Sequence, residues 1–139
     1  MDAQRVSFPL TLLLLSSSGN VLPLEAELQY SSTDPLAVVA LFDTGEDAPI
    51  RWVFARDLLI GGLERRTGDG DVAVYPATGV DGDQAVRIRL RSPDGDALLE
   101  AGADSISQFL AQTWRLVVPG AEGRLLDIDS VLGALLDRG

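Results

Sequence analysis

Apolar residues recur at every second position at the start of the chain. Val6, Phe8, Leu10, Leu12 and Leu14 share one parity, while Ser7, Pro9 and Thr11 interrupt the other. This is the signature of a strand with one buried face. The alternation resumes in "LPLEAELQY", where Leu22, Leu24, Ala26, Leu28 and Tyr30 oppose Pro23, Glu25, Glu27 and Gln29. "SSTDP" supplies turn residues, and proline pushes Asp34 out of helical geometry. "LAVVALF" (36–42) is apolar on both parities and reads as a central strand. Beyond the turn "DTGEDAP", Ile50, Trp52 and Phe54 point inward, with Arg51 and Val53 outward.

The period then changes. Leu58, Leu59 and Leu63 fit a short helix that Arg56 and Asp57 open and Gly61 and Gly62 close. Residues 72–76, 85–92 and 97–101 read as three further short strands, joined by "TGDGD", "GVDGDQ" and "SPDGD". From residue 102 the chain turns helical. Ser105 and Gln108 have the spacing of a capping box, followed by Ile106, Phe109, Leu110, Thr113 and Val117 at helical intervals. A last helix is expected from Asp127 or Asp129, burying Val131, Leu132, Leu135 and Leu136. The expected fold is one α+β domain over residues 1–139: a mainly antiparallel, curved or barrel-like sheet of about seven strands with C-terminal helices.

Composition narrows the chemistry. The chain has 139 residues, no cysteine and no histidine. Disulfides, thiolate metal sites, cysteine nucleophiles and serine–histidine triads are thereby excluded. No GxSxG, P-loop or GxGxxG pattern occurs. No catalytic, cofactor-binding or metal-binding residues are expected, and the chain reads as a non-enzyme. The charge is −10, and all 11 basic residues are arginines. An acidic surface disfavours nucleic acid, whose binding rests on cation contacts. No run approaches the ~18 apolar residues of a membrane span. The N-terminal stretch reads as a strand rather than an export signal, so a cytoplasmic protein without membrane insertion is expected.

Three features invite a binding role. Asp69 and Asp71, Asp81 and Asp83, and Asp94 and Asp96 resemble calcium loops, but they lack the terminal glutamate and fixed spacing, and hairpin turns account for them. Arg87, Arg89 and Arg91 form a comb on one face of a strand. Such a comb meets either its own carboxylates or an acidic partner groove. Leu13 and Leu15 place apolar surface on the outer face of the first strand, and Trp114, Leu116 and Val117 do the same at the end of the long helix. With sheet edges to cover, these residues are candidates for subunit or partner contacts.

"DPLAVVALF", "WVFARDLLIGGL", "TGDGDVAVYP" and "SPDGDALLEA", in this order, resemble the SsgA-like proteins of sporulating actinobacteria from about Arg5 onward. The resemblance implies a non-enzymatic regulator of sporulation-specific septation, located at the division septum. SsgB-type members recruit the tubulin-like GTPase FtsZ, so FtsZ, other divisome proteins and other SsgA-like proteins are the implied partners. It also implies a Whirly-like fold and a homotrimer. The rival function is single-stranded nucleic-acid binding through that fold and the arginine comb. Within "RWVFARDLLIGGL", Arg51, Arg56 and Asp57 read as architecture and not as a catalytic set. Ala55 stands where a serine or threonine would better cap the helix.

Overall fold

The computed structural model describes residues 4–45, 47–68 and 70–119. Seven strands form one antiparallel sheet: β1 (Arg5–Leu15), β2 (Val21–Ser31), β3 (Asp34–Asp43), β4 (Ile50–Ala55), β5 (Val72–Thr78), β6 (Gln84–Ser92) and β7 (Gly95–Gly102). Helix α1 (Arg56–Gly62) follows β4, and helix α2 (Ala103–Leu116) follows β7. The strand order is β4-β3-β2-β1-β7-β6-β5. Two meanders therefore meet at the middle. β1 pairs with β2 along its whole length, but with β7 only through Leu13↔Glu100 and Leu14↔Leu99. The sheet curls at this narrow joint into a half-barrel, and α2 lies in its concavity.

The inner face follows the parity of the sequence. Val6, Leu12, Leu24, Leu28, Val38, Phe42, Phe54, Val86, Ile88 and Leu99 are buried there, against Ile106, Phe109 and Leu110 of α2. The Phe8 and Phe109 rings meet edge to face with centroids 6.0 Å apart, a favoured aromatic geometry. Leu22 departs from the expectation, standing 54% exposed near the start of β2. β3 departs too. It lies next to the edge strand, so Val38, Ala40 and Phe42 are buried while Leu36 is exposed and Val39 and Leu41 are half-buried. The run of apolar residues reflects an apolar outer patch, not a strand covered on both faces.

α1 starts at Arg56 as the sequence reading has it, but the cap of α2 differs. β7 runs straight into α2, whose N-cap is Gly102, so Ser105 is already inside the first turn and no side chain caps the helix. The glycines of α1 also act differently. They sit in its last turn, and Leu63 is the C-cap with ordinary right-handed angles. Their purpose is close approach: a Cβ on Gly61 would stand 2.5 Å from Thr67 Oγ1, and Gly62 lies against β5. A Cβ on Gly62 would stand 2.2 Å from Cγ1 and 2.6 Å from Cβ of Val74, and Val74 is itself fully buried. The expected helix beyond Asp127 lies outside the described residues.

Arg56 is the most deeply buried charged side chain among the described residues. It is 1% exposed, although it occupies the first position of α1 after an uncapped Ala55. Its guanidinium lies 5.0 Å from the Tyr30 ring centroid. Nη1 donates to the Val117 carbonyl at 2.7 Å and to Thr113 Oγ1 at 3.3 Å. Thr113 Oγ1 in turn donates to the Leu110 carbonyl, and Tyr30 donates to the Pro35 carbonyl. A cation is unfavourable at a helix N-terminus but favourable at a C-terminus. Arg56 resolves the conflict by reaching from the start of α1 to the end of α2. The sequence reading of this segment as architecture agrees with that geometry, though it gave no sign of the burial.

Two stability predictions follow from these contacts. Gly62→Ala gains about 1 kcal/mol of helix propensity but forces Val74 to move, so net destabilisation of about 1–3 kcal/mol is expected. A thermal midpoint at or above the parent's would show that Val74 yields without cost. Arg56→Met keeps the length of the side chain and removes its donors from the Val117 carbonyl and Thr113 hydroxyl. Chemical denaturation should report a loss of about 2–4 kcal/mol, and an unchanged midpoint would refute the bridging role.

Candidate functional site

The outer face of the sheet gathers residues that the sequence presents as separate features. Cross-strand register sets Leu13 opposite Glu100, Glu100 opposite Arg87, and Arg87 opposite Tyr75. One row thus crosses β1, β7, β6 and β5 on a single face, because directly paired residues point the same way. Leu15 and Leu98 line a neighbouring groove with Leu14, Tyr75, Arg89 and Ala97, enclosing about 590 Å³. The comb and the N-terminal leucines are therefore one surface.

Within the comb, each guanidinium has a carboxylate to answer. Arg87 Nε donates to Glu100 Oε1 at 3.3 Å. Glu100 is 4% exposed, and its other oxygen accepts from the backbone N–H of Val80 at 3.0 Å. The buried carboxylate thus ties β6 to the turn between β5 and β6, and Arg87 is committed to the fold. Arg89 and Arg91 are different. Both turn to Asp96, with Arg89 Nη2 at 3.3 Å and Arg91 Nε at 4.0 Å from the same oxygen. All three of these side chains are exposed enough that the pairs contribute little to stability.

Tyr75, Leu98, Ala97 and Arg66 were not singled out by sequence. Leu98 carries a faint signal, since it takes the outward parity in a short apolar strand. Tyr75 joins the site only through its register with Arg87, and Arg66 through the turn after α1, which sets its guanidinium 5.1 Å from the Tyr75 centroid. Neither relation is written locally.

The helix-end candidates lie elsewhere. Val117 is 6% exposed and belongs to the core, where its carbonyl serves Arg56. The helix ends one residue before it, and the chain turns inward, so Val117 is not a surface anchor as expected. Trp114 and Leu116 are half-buried against the core. The Trp114 indole N–H is buried and finds no hydrogen-bond partner among the described residues.

The acidic residues occupy the opposite half of the outer face. Glu25, Glu27, Asp43 and Asp47 line a groove of about 460 Å³ with Pro9, Leu41 and Pro49. Hydrogen bonds from Ser7 and then Gln29 hold the Glu27 carboxyl below the ordinary glutamate range. Of the aspartate–glycine segments, Asp81, Asp83, Asp94 and Asp96 are exposed in or beside the hairpin turns, and Gly82 takes φ +90° there, an angle glycine adopts without steric cost. No group of three or more metal-ligating side chains gathers among the described residues. No helix among them is long and apolar enough to cross a membrane.

Comparison with known proteins places the chain in a family. The model of the Streptomyces sporulation and cell division protein SsgA matches residues 24–122. The sporulation-specific cell division protein SsgB of Streptomyces coelicolor is 48% identical over 131 residues, covering 94% of this chain and 95% of that protein. SsgB of Saccharopolyspora erythraea is 45% identical over 123 residues, covering 88% and 86%. A solved structure, reported with mutations in SsgB that correlate to longitudinal cell division during sporulation of Streptomyces coelicolor, superposes with a TM-score of 0.82. It is 47% identical and covers 88% of this chain and 94% of that one. The crystal structure of an SsgA-like sporulation-specific cell division protein from Thermobifida fusca gives a TM-score of 0.82 at 37% identity, covering 95% and 96%. The curled seven-stranded sheet and the sequence carried on it agree: the chain belongs to the SsgA family of sporulation and cell division proteins.

Proposed function

We propose that the protein is a non-enzymatic adaptor of sporulation-specific septation, which binds FtsZ and helps to position it at the future septum. The observation that carries this reading is the outer-face groove of Leu15, Tyr75, Leu98 and Arg89. It combines apolar walls with a charged rim, as partner-binding surfaces do. The chain has no histidine or cysteine to activate a nucleophile or hold a metal, and binding is the chemistry that this surface supports. The similarity to sporulation-specific cell division proteins supplies the cellular setting. The direct test is sedimentation of the purified chain with GTP-assembled FtsZ. Wild-type protein is expected in the pellet with the filaments, and Leu98→Asp is expected to stay in solution. Wild-type protein left entirely in the supernatant would overturn FtsZ as the partner.

Assembly as a homotrimer belongs to the same reading. β5 is guarded as a sheet edge, since Val74 exchanges both backbone hydrogen bonds with Thr67 and Pro76 lacks an N–H. β4 is the other edge and carries the exposed Ile50 and Val53, apolar surface that a neighbouring subunit would cover. The half-buried Trp114 and Leu116 offer a second contact. Light scattering at micromolar concentration should give a mass near three times 14.8 kDa, and a monomer stable on dilution would refute the assembly.

A further inference from the structure

The arginines of the outer face outnumber the carboxylates that answer them. Arg66, Arg89 and Arg91 line a small pocket of about 140 Å³ with Gly68, Gly70 and Ala73. Asp96 is the one carboxylate within 4.0 Å of Arg89 and Arg91 among the described residues, and the two share it. Arg66 forms no ion pair among the described residues and lies over the Tyr75 ring instead. Among the described residues, three guanidiniums line the pocket and one carboxylate lies within 4.0 Å of any of them, in a chain whose net charge is −10. Such a concentration on an acidic protein raises the local potential for an anion and steers its approach.

The pocket adjoins the apolar groove, because Arg89 lines both. On one side of Arg89 lie Leu15, Tyr75 and Leu98, and on the other lie Arg66 and Arg91. From this juxtaposition we infer that the surface holds an extended peptide segment with an apolar side chain next to one or more carboxylates. The apolar residue enters the groove, and the carboxylate takes the guanidiniums of Arg66 and Arg91, whose planar donors suit a bidentate acceptor. This deepens the proposed function by naming the chemistry of the partner's segment, and it rests on FtsZ as the partner.

A second copy of the chain fits less well. Its acidic groove (Glu25, Glu27, Asp43 and Asp47) has the complementary sign, but both surfaces are concave and do not mate without an intervening segment. Single-stranded nucleic acid would find phosphate contacts and the Tyr75 ring. It would also meet the leucine walls and a net charge of −10, which oppose phosphate binding.

The test uses the full chain and fluorescein-labelled 15-residue peptides tiling FtsZ, read by anisotropy, with sedimentation on FtsZ filaments in parallel. The peptides bound best should pair an apolar residue with Asp or Glu. The exposed double variant Arg66→Gln/Arg91→Gln should weaken them at least about tenfold and flatten the salt dependence. Leu98→Ser should weaken them with the salt dependence kept, and Ser107→Ala, exposed on α2 and outside both pockets, should match wild type. Circular dichroism of each variant confirms the fold. Filament binding by wild type that the double variant retains in full would overturn the inference and leave the FtsZ reading standing. Failure of wild type to bind filaments, with acidic–apolar peptides still captured through Arg66 and Arg91, would overturn FtsZ and leave the site standing. Preferred binding of basic peptides, capture of oligo-dT in place of peptide, or loss of trimer in the double variant would each overturn the inference.

Discussion

The buried guanidinium of Arg56 is the constraint around which the other elements are arranged. A cation taken out of water is tolerated only where dipoles and acceptors replace its hydration. Here the replacement comes from the Tyr30 ring, the Thr113 hydroxyl and the carbonyl of Val117. Those groups belong to β2, α2 and the residue that ends α2. Satisfying one side chain therefore fixes the start of α1, the depth of α2 in the half-barrel and the point at which the helix stops. Gly62 completes the arrangement, since only a residue without Cβ lets α1 lie this close to Val74.

With the inner face committed to that core, the outer face is left for interaction. Its charges are unevenly spread, with Arg5 and Arg51 lining a further groove on the β1–β4 side. Arg87, Arg89, Arg91 and Arg66 lie on the side of β5, β6 and β7, while Glu25, Glu27, Asp43 and Asp47 lie on the side of β2, β3 and β4. The arginines also differ in duty. Arg87 is bound to the buried Glu100, which holds a hairpin turn, and its loss would be felt as lost structure. Arg66 and Arg91 are exposed and weakly answered, so their loss would cost the fold little. A polar comb of identical residues can thus serve the fold at one tooth and the surface at another.

Much of this was legible in the chain as written. Alternation at period two placed Val6, Leu12, Leu24, Leu28 and Phe54 on the inner face, because a strand must turn successive side chains to opposite sides. Asp-Gly pairs marked the hairpins, and the absence of histidine and cysteine removed whole classes of chemistry. These are local or compositional facts, and sequence determines them. The tertiary structure decided the rest, for the reason that each depended on which segments become neighbours. Ser105 keeps the spacing of a capping box, yet β7 carries the chain into the helix from Gly102, and the box never forms. Gly61 and Gly62 read as a helix stop, and packing against Thr67 and β5 made them a place of contact. Arg56 is as hydrophilic in the sequence as Arg51, but the end of α2, more than fifty residues on, lies over it. Leu15, Leu98, Arg89 and Arg66 come from four segments, and only strand register and the turn after α1 bring them to one groove. Periodicity tells which way a side chain faces, and the pairing of distant strands decides what it faces with.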